Sequence, residues 1–371
     1  MPAEPRLLVI TPDFPPARGG IQVLSHRLAA GIAGFETRVV AADSPGAAEF
    51  DAAGELPVRR VHTSPRLGKG RNLALNGAAL DEARRFRPQV TLSVHIVASP
   101  AAALISRATG APTVQYFHAK EIGAKPGLAA FAARQARAAI AVSAYTSDLV
   151  AATGARPADT RLIPPGVDLP TVTAPLPEPR PTLLTIARLE DRYKGHDVII
   201  RALPLIRAAV PDVQWVVIGD GPLRSGLEHL AASHGVADAT RFLGAVSDEE
   251  RNSWLRRASL LAMPSRLPDG DFAGEGFGIV YLEAGAYGKP VLAGNVAGAL
   301  DAVADGESGL LVDPGDHLAV AAGATKLLRD RELAERLGAA GAERAREFAW
   351  PRICERVQAL LLEQLDRGPG S

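Results

Sequence analysis

Two glutamates, Glu275 and Glu283, are separated by seven residues in a glycine-rich part of the chain. Glu275 lies in the loop Gly274-Glu-Gly-Phe-Gly278, and Glu283 lies in the apolar run that follows, which predicts a helix from Ile279. Glycines let the backbone approach a ligand closely, and the N–H groups of a helix start favour phosphate. A carboxylate one turn into that helix can accept hydrogen bonds from ribose hydroxyls. The stretch predicts a nucleotide-sugar site, with a surface loop bearing two solvated glutamates as the alternative.

Two basic residues lie in a loop that follows another predicted strand, residues 182–187. Arg188 and Lys194 flank the loop after the apolar run 182–187, and Arg192 between them is a weaker candidate. The planar guanidinium and the mobile ammonium both suit a diphosphate. The alternative is a solvated charged loop.

Further candidates follow strands nearer the N-terminus. Gly19 and Gly20 come after the first strand and would allow close approach to phosphate or sugar, although the dinucleotide pattern GxGxxG is absent. His118 directly follows the run 113–117, where it could reach a ligand or remain a structural histidine. We predict no metal site: Asp269-Gly-Asp271 is interpreted as a polar loop, and the other seven histidines lack ligand spacing.

Composition narrows the class of protein. With 371 residues, 47% of them apolar, the chain is long enough for two globular domains. The 41 basic and 41 acidic side chains cancel, which argues against nucleic-acid binding. One cysteine, Cys354, excludes an internal disulfide and fits a reducing compartment. Without a signal peptide or an apolar run of roughly 20 residues, the sequence predicts a cytoplasmic protein with at most peripheral membrane contact.

A basic stretch from 59 to 71 contains five Arg or Lys residues. Such runs are usually solvated faces. This one is dense enough to predict contact with an anionic acceptor or with the inner face of the plasma membrane.

Apolar runs alternate with helical patterns along the whole chain, which predicts parallel sheets covered on both faces. Seven prolines in 164–181 indicate a domain boundary. We predict a first Rossmann-like domain over 1–167, a linker over 168–181 and a second domain over 182–349. In such sheets ligands bind at the carboxyl ends of strands, so we expect a cleft between the domains. Strands are predicted at 6–11, 37–42, 90–94, 113–117, 139–142, 182–187, 214–218, 240–243, 260–263, 290–293 and 309–312.

The motifs in this order resemble the retaining glycosyltransferases of GT-B fold, family 4, the group that includes bacterial phosphatidylinositol mannosyltransferases. The resemblance rests on Thr11-Pro-Asp-Phe-Pro-Pro-Ala-Arg-Gly-Gly-Ile-Gln22, Arg188 with Lys194-Gly195, Gly219-Asp-Gly-Pro-Leu223 and the glutamate pair. It spans nearly the whole chain, and it is less specific for donor or acceptor than for the family. The loop from Leu189 to Lys194 is longer than in some relatives. The resemblance also implies that the helix 350–367 packs back on the first domain.

The resemblance implies a role for each matching residue. Gly19 and Gly20 would approach the donor phosphate, and His118 would bond a hydroxyl of the transferred sugar. Arg188 and Lys194 would hold the diphosphate, and Glu275 would orient the sugar. Glu283 would bond the ribose. The remaining donor contacts would come from Gly219, Gly244, Val246, Gly276, Phe277, Gly278 and Ile279.

The expected reaction is retaining, metal-independent transfer of a hexose from a nucleotide-diphosphate sugar to a hydroxyl acceptor, with no cofactor. GDP-mannose and a glycolipid or polyol are the first interpretation. A UDP-sugar enzyme acting on a small molecule is an alternative, and so are a non-catalytic nucleotide-sugar-binding protein and a phosphorylase or epimerase.

Overall fold

The alternating apolar and amphipathic segments form strands and helices in the computed structural model, which describes residues 4–62, 70–157, 159–267 and 274–367. The chain divides into two compact units. The first comprises Met1–Gly166 and Trp350–Ser371, and the second comprises Val167–Ala349.

In the first unit strands and helices alternate. The strands are β1 (Arg6–Thr11), β2 (Glu36–Ala42), β3 (Val58–Val61), β4 (Val90–Ser93), β5 (Thr113–Phe117), β6 (Ala138–Ala141) and β7 (Thr160–Leu162). The helices are α1 (Gly20–Gly31), α2 (Ala47–Ala52), α3 (Gly70–Phe86), α4 (Ser99–Thr109), α5 (Ala119–Ala124), α6 (Pro126–Gln135) and α7 (Ala144–Ala152), and the unit is completed by the last helix, α15 (Trp350–Asp366).

The second unit repeats the alternation. Its strands are β8 (Thr182–Ile186), β9 (Gln214–Ile218), β10 (Thr240–Gly244), β11 (Leu260–Met263), β12 (Val291–Gly294) and β13 (Leu310–Val312). Its helices are α8 (His196–Ala209), α9 (Arg224–Ser233), α10 (Asp248–Arg257), α11 (Ile279–Ala286), α12 (Ala299–Ala302), α13 (His317–Arg329) and α14 (Arg331–Glu347).

Both sheets of the described chain are parallel and doubly wound. The first has the order β3-β2-β1-β4-β5-β6-β7, and the second has the order β10-β9-β8-β11-β12-β13. The strand order therefore reverses between β1 and β4 in one unit and between β8 and β11 in the other. In open α/β sheets the carboxyl ends of the strands at such a reversal form the ligand crevice. The α/β class predicted from the sequence is confirmed.

The second sheet is covered by apolar side chains on both faces, which explains its continuous apolar strands. Trp215, fully buried on one face, donates from its indole Nε1 to Thr185 Oγ1 at 2.9 Å. On the other face Tyr281 is 2% exposed and donates to the carbonyl of Met263 at 2.8 Å. Each fully buried Leu or Ile around them contributes about 1.5–3 kcal/mol, so the sheet is a rigid platform for its loops.

Two strands that the sequence analysis did not predict, β3 and β7, lie at the edges of the first sheet. The β3 strand is only Val58-Arg-Arg-Val61, and every residue of β7 is exposed. Edge strands are often short and charged because this discourages pairing with another chain. For the same reason they lack the apolar run by which the other strands were predicted.

The proline-rich segment around 168–181 belongs to the second unit. The amide of Leu176 donates to the carbonyl of Arg256 at 3.2 Å, and the Arg256 guanidinium donates to the carbonyl of Ala174 at 2.8 Å. These bonds attach the segment to the end of α10.

Candidate active site

The loop after β8, residues 187–195, is held by the ends of neighbouring strands. The amide of Ala187 donates to Ile218 O at 3.0 Å, and the amide of Leu189 donates to Asp220 O at 2.9 Å. On the other side a Cβ at Gly195 would lie 2.3 Å from the carbonyl oxygen of Pro264, just after β11. The loop is therefore fixed between the carboxyl ends of β9 and β11.

This arrangement brings two predicted site residues into contact. Lys194, in the short 3-10 turn Arg192–Lys194, places its Nζ 2.5 Å from Glu275 Oε2, although the two residues are 81 positions apart. Their side chains are only 17% and 13% exposed. Burial alone would lower the pKa of Lys194, but the Glu275 carboxylate and Tyr193 together outweigh it and raise that pKa above its ordinary value. The ammonium therefore stays charged at neutral pH.

Helix α11 begins where the sequence predicted, at Ile279. Its N-cap, Gly278, has a left-handed φ of 90°, and a Cβ there would lie 2.3 Å from the ring of Tyr281. Gly278 supplies no side-chain cap, so N–H groups of the first helical turn remain to bind an anion. Glu283, one turn further on, forms an ion pair with Arg251 of α10.

The other donor-side residues differ in exposure. The Arg188 side chain is 66% exposed and lies 3.3 Å from Glu190, an exposed pair that contributes little to stability. Gly219 donates its amide to Gly244 O at 2.9 Å, which joins the ends of β9 and β10. Phe277 is 3% exposed and packs into the core, so only its backbone could meet a ligand, whereas Val246 is partly buried against the same core.

Gly276 lies in the same strand-end region. The carbonyl of Glu275 accepts the Gly298 amide at 2.9 Å, and a Cβ at Gly298 would lie 2.2 Å from Gly276 O. The loop after β12 therefore fixes the backbone beside Glu275.

In the first unit, Gly19 and Gly20 stand at the N-terminus of α1, which has no side-chain cap. The preceding loop is fixed by Asp13, whose carboxylate accepts from Gln22 Nε2 at 2.9 Å and whose amide donates to Thr11 Oγ1 at 3.0 Å. Burial raises the pKa of Asp13 above its ordinary value.

His118 is the N-cap residue of α5 and one of several groups that hydrogen-bond to the buried Glu121. Glu121 accepts hydrogen bonds from the amide of His118 at 3.1 Å and from the amide of Ile96 at 3.0 Å, and its Oε2 lies 2.9 Å from His95 Nδ1. The His118 ring donates from Nε2 to the carbonyl of Val94 at 2.9 Å. Glu121 thereby joins the carboxyl ends of β4 and β5.

The two histidines of this cluster differ in charge. Burial alone would lower the pKa of His95, but Glu121, with a smaller contribution from Asp13, outweighs it and raises that pKa above its ordinary value. Burial lowers the pKa of His118. At neutral pH His118 is therefore a neutral imidazole whose Nε2–H is held by Val94.

Comparison with known proteins finds one glycosyltransferase family match in the N-terminal part of the chain and another in the C-terminal part. Residues 18–170 match the family described as Glycosyltransferase Family 4, and residues 173–344 match that described as Glycosyl transferases group 1. A GDP-mannose-dependent alpha-(1-6)-phosphatidylinositol monomannoside mannosyltransferase of Mycobacterium tuberculosis is 34% identical over 91% of this chain and 93% of its own length. The chain belongs to the family 4 glycosyltransferases.

A second relative and a solved structure extend the comparison. A GDP-mannose-dependent monoacylated alpha-(1-6)-phosphatidylinositol monomannoside mannosyltransferase of Corynebacterium glutamicum is 31% identical over 97% of this chain and 99% of its own. Sucrose-phosphate synthase from Thermosynechococcus elongatus has a TM-score of 0.82 at 20% identity, covering 98% of this chain and 100% of its own. The predicted GT-B fold is confirmed.

In this family 4 glycosyltransferase the basic stretch 59–71 is only partly available for contact with anions. Arg59 lies 2.7 Å from Asp81, and Arg60 is 7% exposed and lies 2.8 Å from Asp51. Arg59 and Arg60 are thus each paired with an acidic side chain, of α3 and α2 respectively, and contact of the stretch with an anionic acceptor or a membrane stays a prediction. Residues 63–69 lie outside the described residues.

Sequence reasoning missed several polar groups of the glycosyltransferase. Asp13, His95 and Glu121 were not predicted, although the spacing of His118 and Glu121 is that of a helix capping box. Arg251 was missed because nothing in the sequence pairs it with Glu283. Among the described residues no three His, Cys, Asp or Glu side chains converge as metal ligands, and Asp269 and Asp271 lie outside them.

Proposed function

We propose that this glycosyltransferase moves mannose from GDP-mannose to a hydroxyl of an inositol-containing glycolipid, with retention of configuration and without a metal ion. The observation that carries the proposal is the contact between Lys194 and Glu275 at the β8/β11 reversal, beside the N-terminus of α11. A cation for the diphosphate and a carboxylate for the sugar lie together there. The two mannosyltransferase relatives, similar over nearly their whole length, support the choice of donor and acceptor.

The charges suit the cleavage of a sugar–phosphate bond. Negative charge builds on the leaving diphosphate, and the Lys194 ammonium, the exposed Arg188 and the N–H groups of α11 would stabilise it. Glu275 would hold sugar hydroxyls, and Glu283 would accept from the ribose. Three sources of positive charge make a divalent ion unnecessary in the proposed reaction.

Retention is proposed on chemical grounds. The Glu275 carboxylate is ion-paired with Lys194. Glu275 is therefore poorly suited to attack the anomeric carbon as the nucleophile of a two-carboxylate glycosidase does. The acceptor hydroxyl would attack from the face that the diphosphate leaves, and the leaving phosphate oxygen would take its proton.

A lipid acceptor is met at a bilayer surface, and α3 offers a contact for it. Arg71 is exposed at the start of α3, and Leu73 is 77% exposed. No helix in the described part of the chain has the length and apolar character to cross a membrane. We propose peripheral, cytoplasmic-face binding through this end of α3.

The test is a binding and transfer experiment with purified protein. Thermal shift is measured with GDP, UDP and ADP and their sugar conjugates, and labelled mannose transfer is measured with phosphatidylinositol mannoside in vesicles, with and without EDTA. At 100 times its dissociation constant a ligand adds roughly 2.7 kcal/mol of stability. We expect a selective shift with GDP compounds and EDTA-resistant transfer with an α-linkage in the product.

Other outcomes correct specific parts of the proposal. A selective response to UDP compounds would overturn the donor, and loss of transfer with EDTA would overturn metal independence. For membrane contact, Arg71→Glu with Leu73→Glu should reduce sedimentation with anionic vesicles. Leu318→Glu, at a residue 57% exposed in the second unit, is the matched control. Equal sedimentation of all three proteins would exclude α3 as the contact.

A further inference from the structure

Arg60, on the edge strand β3, contacts three separate parts of the first unit. Its Nε and Nη2 donate to the two oxygens of Asp51 in α2 at 2.9 and 2.8 Å. Its Nη1 donates to Ala42 O, at the end of β2, at 3.2 Å. Its Nη2 also donates to Pro15 O at 2.5 Å, in the loop between β1 and α1.

The same guanidinium lies against the preceding residue of that loop. The guanidinium carbon, Arg60 Cζ, is 5.2 Å from the centroid of the Phe14 ring. Phe14 is only 2% exposed. Edge-on contacts join Phe14 to His26 of α1 at 5.6 Å and to Phe50 of α2 at 6.5 Å. The carbonyl of Pro15 and the ring of Phe14 are therefore both held, four to six residues before Gly19 and Gly20.

Its neighbour Arg59 provides the contrast. Arg59 is 34% exposed and lies 2.7 Å from Asp81 and 3.4 Å from Glu82, both in α3. A charged residue on an edge strand discourages pairing with the sheet of another chain. The solvent-exposed Arg59 already provides such a charge on β3. Burying a second arginine on the same strand is costly unless its donors are satisfied, and Arg60 satisfies them on the β1–α1 loop and its surroundings.

We propose that Arg60 is a positioning residue for glycosyl transfer, which sets the β1–α1 loop and with it the positions of Gly19 and Gly20 at the N-terminus of α1, where an anionic group of a substrate would bind. This inference rests on the proposed function, since its measured effect is on mannose transfer from GDP-mannose. Only an arginine fork can hold Asp51, Ala42 O and Pro15 O together, because lysine has a single nitrogen. Misplacement of binding groups by about 1 Å can lower turnover roughly a hundredfold.

The test compares Arg60→Met, Arg60→Lys and the matched control Arg59→Met in full-length protein. Donor KM and kcat are measured by mannose transfer from GDP-mannose, and thermal stability is measured in parallel. We expect kcat/KM to fall by about 10- to 100-fold in Arg60→Met, with partial recovery in Arg60→Lys. Arg59→Met should stay within about twofold of the wild type, although it also loses an ion pair.

The control separates positioning from stability. If Arg60→Met is folded at the assay temperature and keeps wild-type kinetics, the inference is wrong. An equal loss in Arg59→Met would assign the effect to general destabilisation and also overturn it. If Arg60→Met does not fold, Arg60→Lys gives the decisive value, and wild-type kinetics there would contradict the proposal. Absence of transfer by the wild type would instead refute the proposed function.

Discussion

The Lys194 ammonium remains charged although burial disfavours the charge, because the Glu275 carboxylate lies 2.5 Å away. The strand-end positions of Lys194 and His118 could be inferred from the sequence, since each follows an apolar run. Their partners could not, because Glu275 is 81 positions from Lys194 and the bond from His118 ends on a backbone carbonyl. Polar contacts between distant segments depend on strand order, which periodicity does not specify.

Replacing Lys194 by alanine should reduce turnover by about 10²–10³-fold, as loss of an oxyanion donor does. The turnover of Arg188→Ala should fall by a similar factor, because the exposed guanidinium would bind the diphosphate. Steady-state transfer with GDP-mannose measures both. Arg201→Ala, which removes an exposed arginine paired with Asp197, is the control and should keep full turnover. Unchanged turnover in both Lys194→Ala and Arg188→Ala would show that neither residue holds the diphosphate.

At the scale of elements, the strands with continuous apolar runs were predictable to within a residue or two, whereas β3 and β7 were not. The start of α11 was predictable because glycine precedes an apolar helical run. Its precise geometry depends on Gly278, whose φ of 90° and lack of a side chain allow Tyr281 to pack beside it. Glu121 similarly sets the distance between two strand ends and was not anticipated.

Gly278→Ala should destabilise the protein by more than the roughly 1 kcal/mol that a left-handed backbone costs, because its Cβ would also overlap the Tyr281 ring. Gly288 is the matched control: it has a φ of 68°, and a Cβ there would meet nothing within 4 Å. Urea unfolding of both variants measures the difference. Equal losses for Gly278→Ala and Gly288→Ala would mean that the α11 start adapts to the added methyl.

The Glu121–His95 pair predicts a pH dependence of stability. Burial alone would raise the pKa of Glu121, but His95, with smaller contributions from His118 and the Ile96 amide, lowers it below its ordinary 4.5. The contribution of Glu121 to stability is therefore lost as pH falls through the lowered value. The pKa of His95 is raised from 6.5, so its contribution is complete below 6.5 and is lost as pH rises through the raised value. The free energy of unfolding of the wild type should therefore exceed that of Glu121→Gln most between pH 4.5 and 6.5.

Denaturant unfolding across pH checks this expectation. His62→Gln, which removes an exposed histidine 2.9 Å from Asp43, is the control and should leave the profile of the wild type nearly unchanged. A difference between wild type and Glu121→Gln that is flat from pH 4 to 9 would contradict the assignment.

At the scale of the whole molecule, the chain enters the second unit at Val167 and leaves it at Ala349 before α15 completes the first. The two crossing segments run side by side, since the Val167 amide donates to Phe348 O at 2.9 Å. Helix α15 buries Ile353, Val357 and Leu361 completely, and the Cys354 thiol lies 3.4 Å from Arg27 O in α1.

Truncation after Ala349 should therefore destabilise the first unit selectively. Each buried apolar side chain that is lost removes about 1.5–3 kcal/mol, which together is comparable with the stability of a whole domain. Calorimetry should show the transition of the first unit lowered or abolished and that of the second retained. Truncation after Arg367 is the control. A truncated protein that unfolds like the wild type would show that α15 is dispensable.

This connectivity also orders events during synthesis. The ribosome releases the N-terminus first, yet the helix that completes the first sheet's covering layer emerges only after residues 167–349 have been made. The whole second unit has therefore been synthesised before the last segment of the first unit, which contains α15. A nascent chain stalled near its end would carry one finished unit and one with an open apolar face, so chaperone binding should concentrate on the residues translated first.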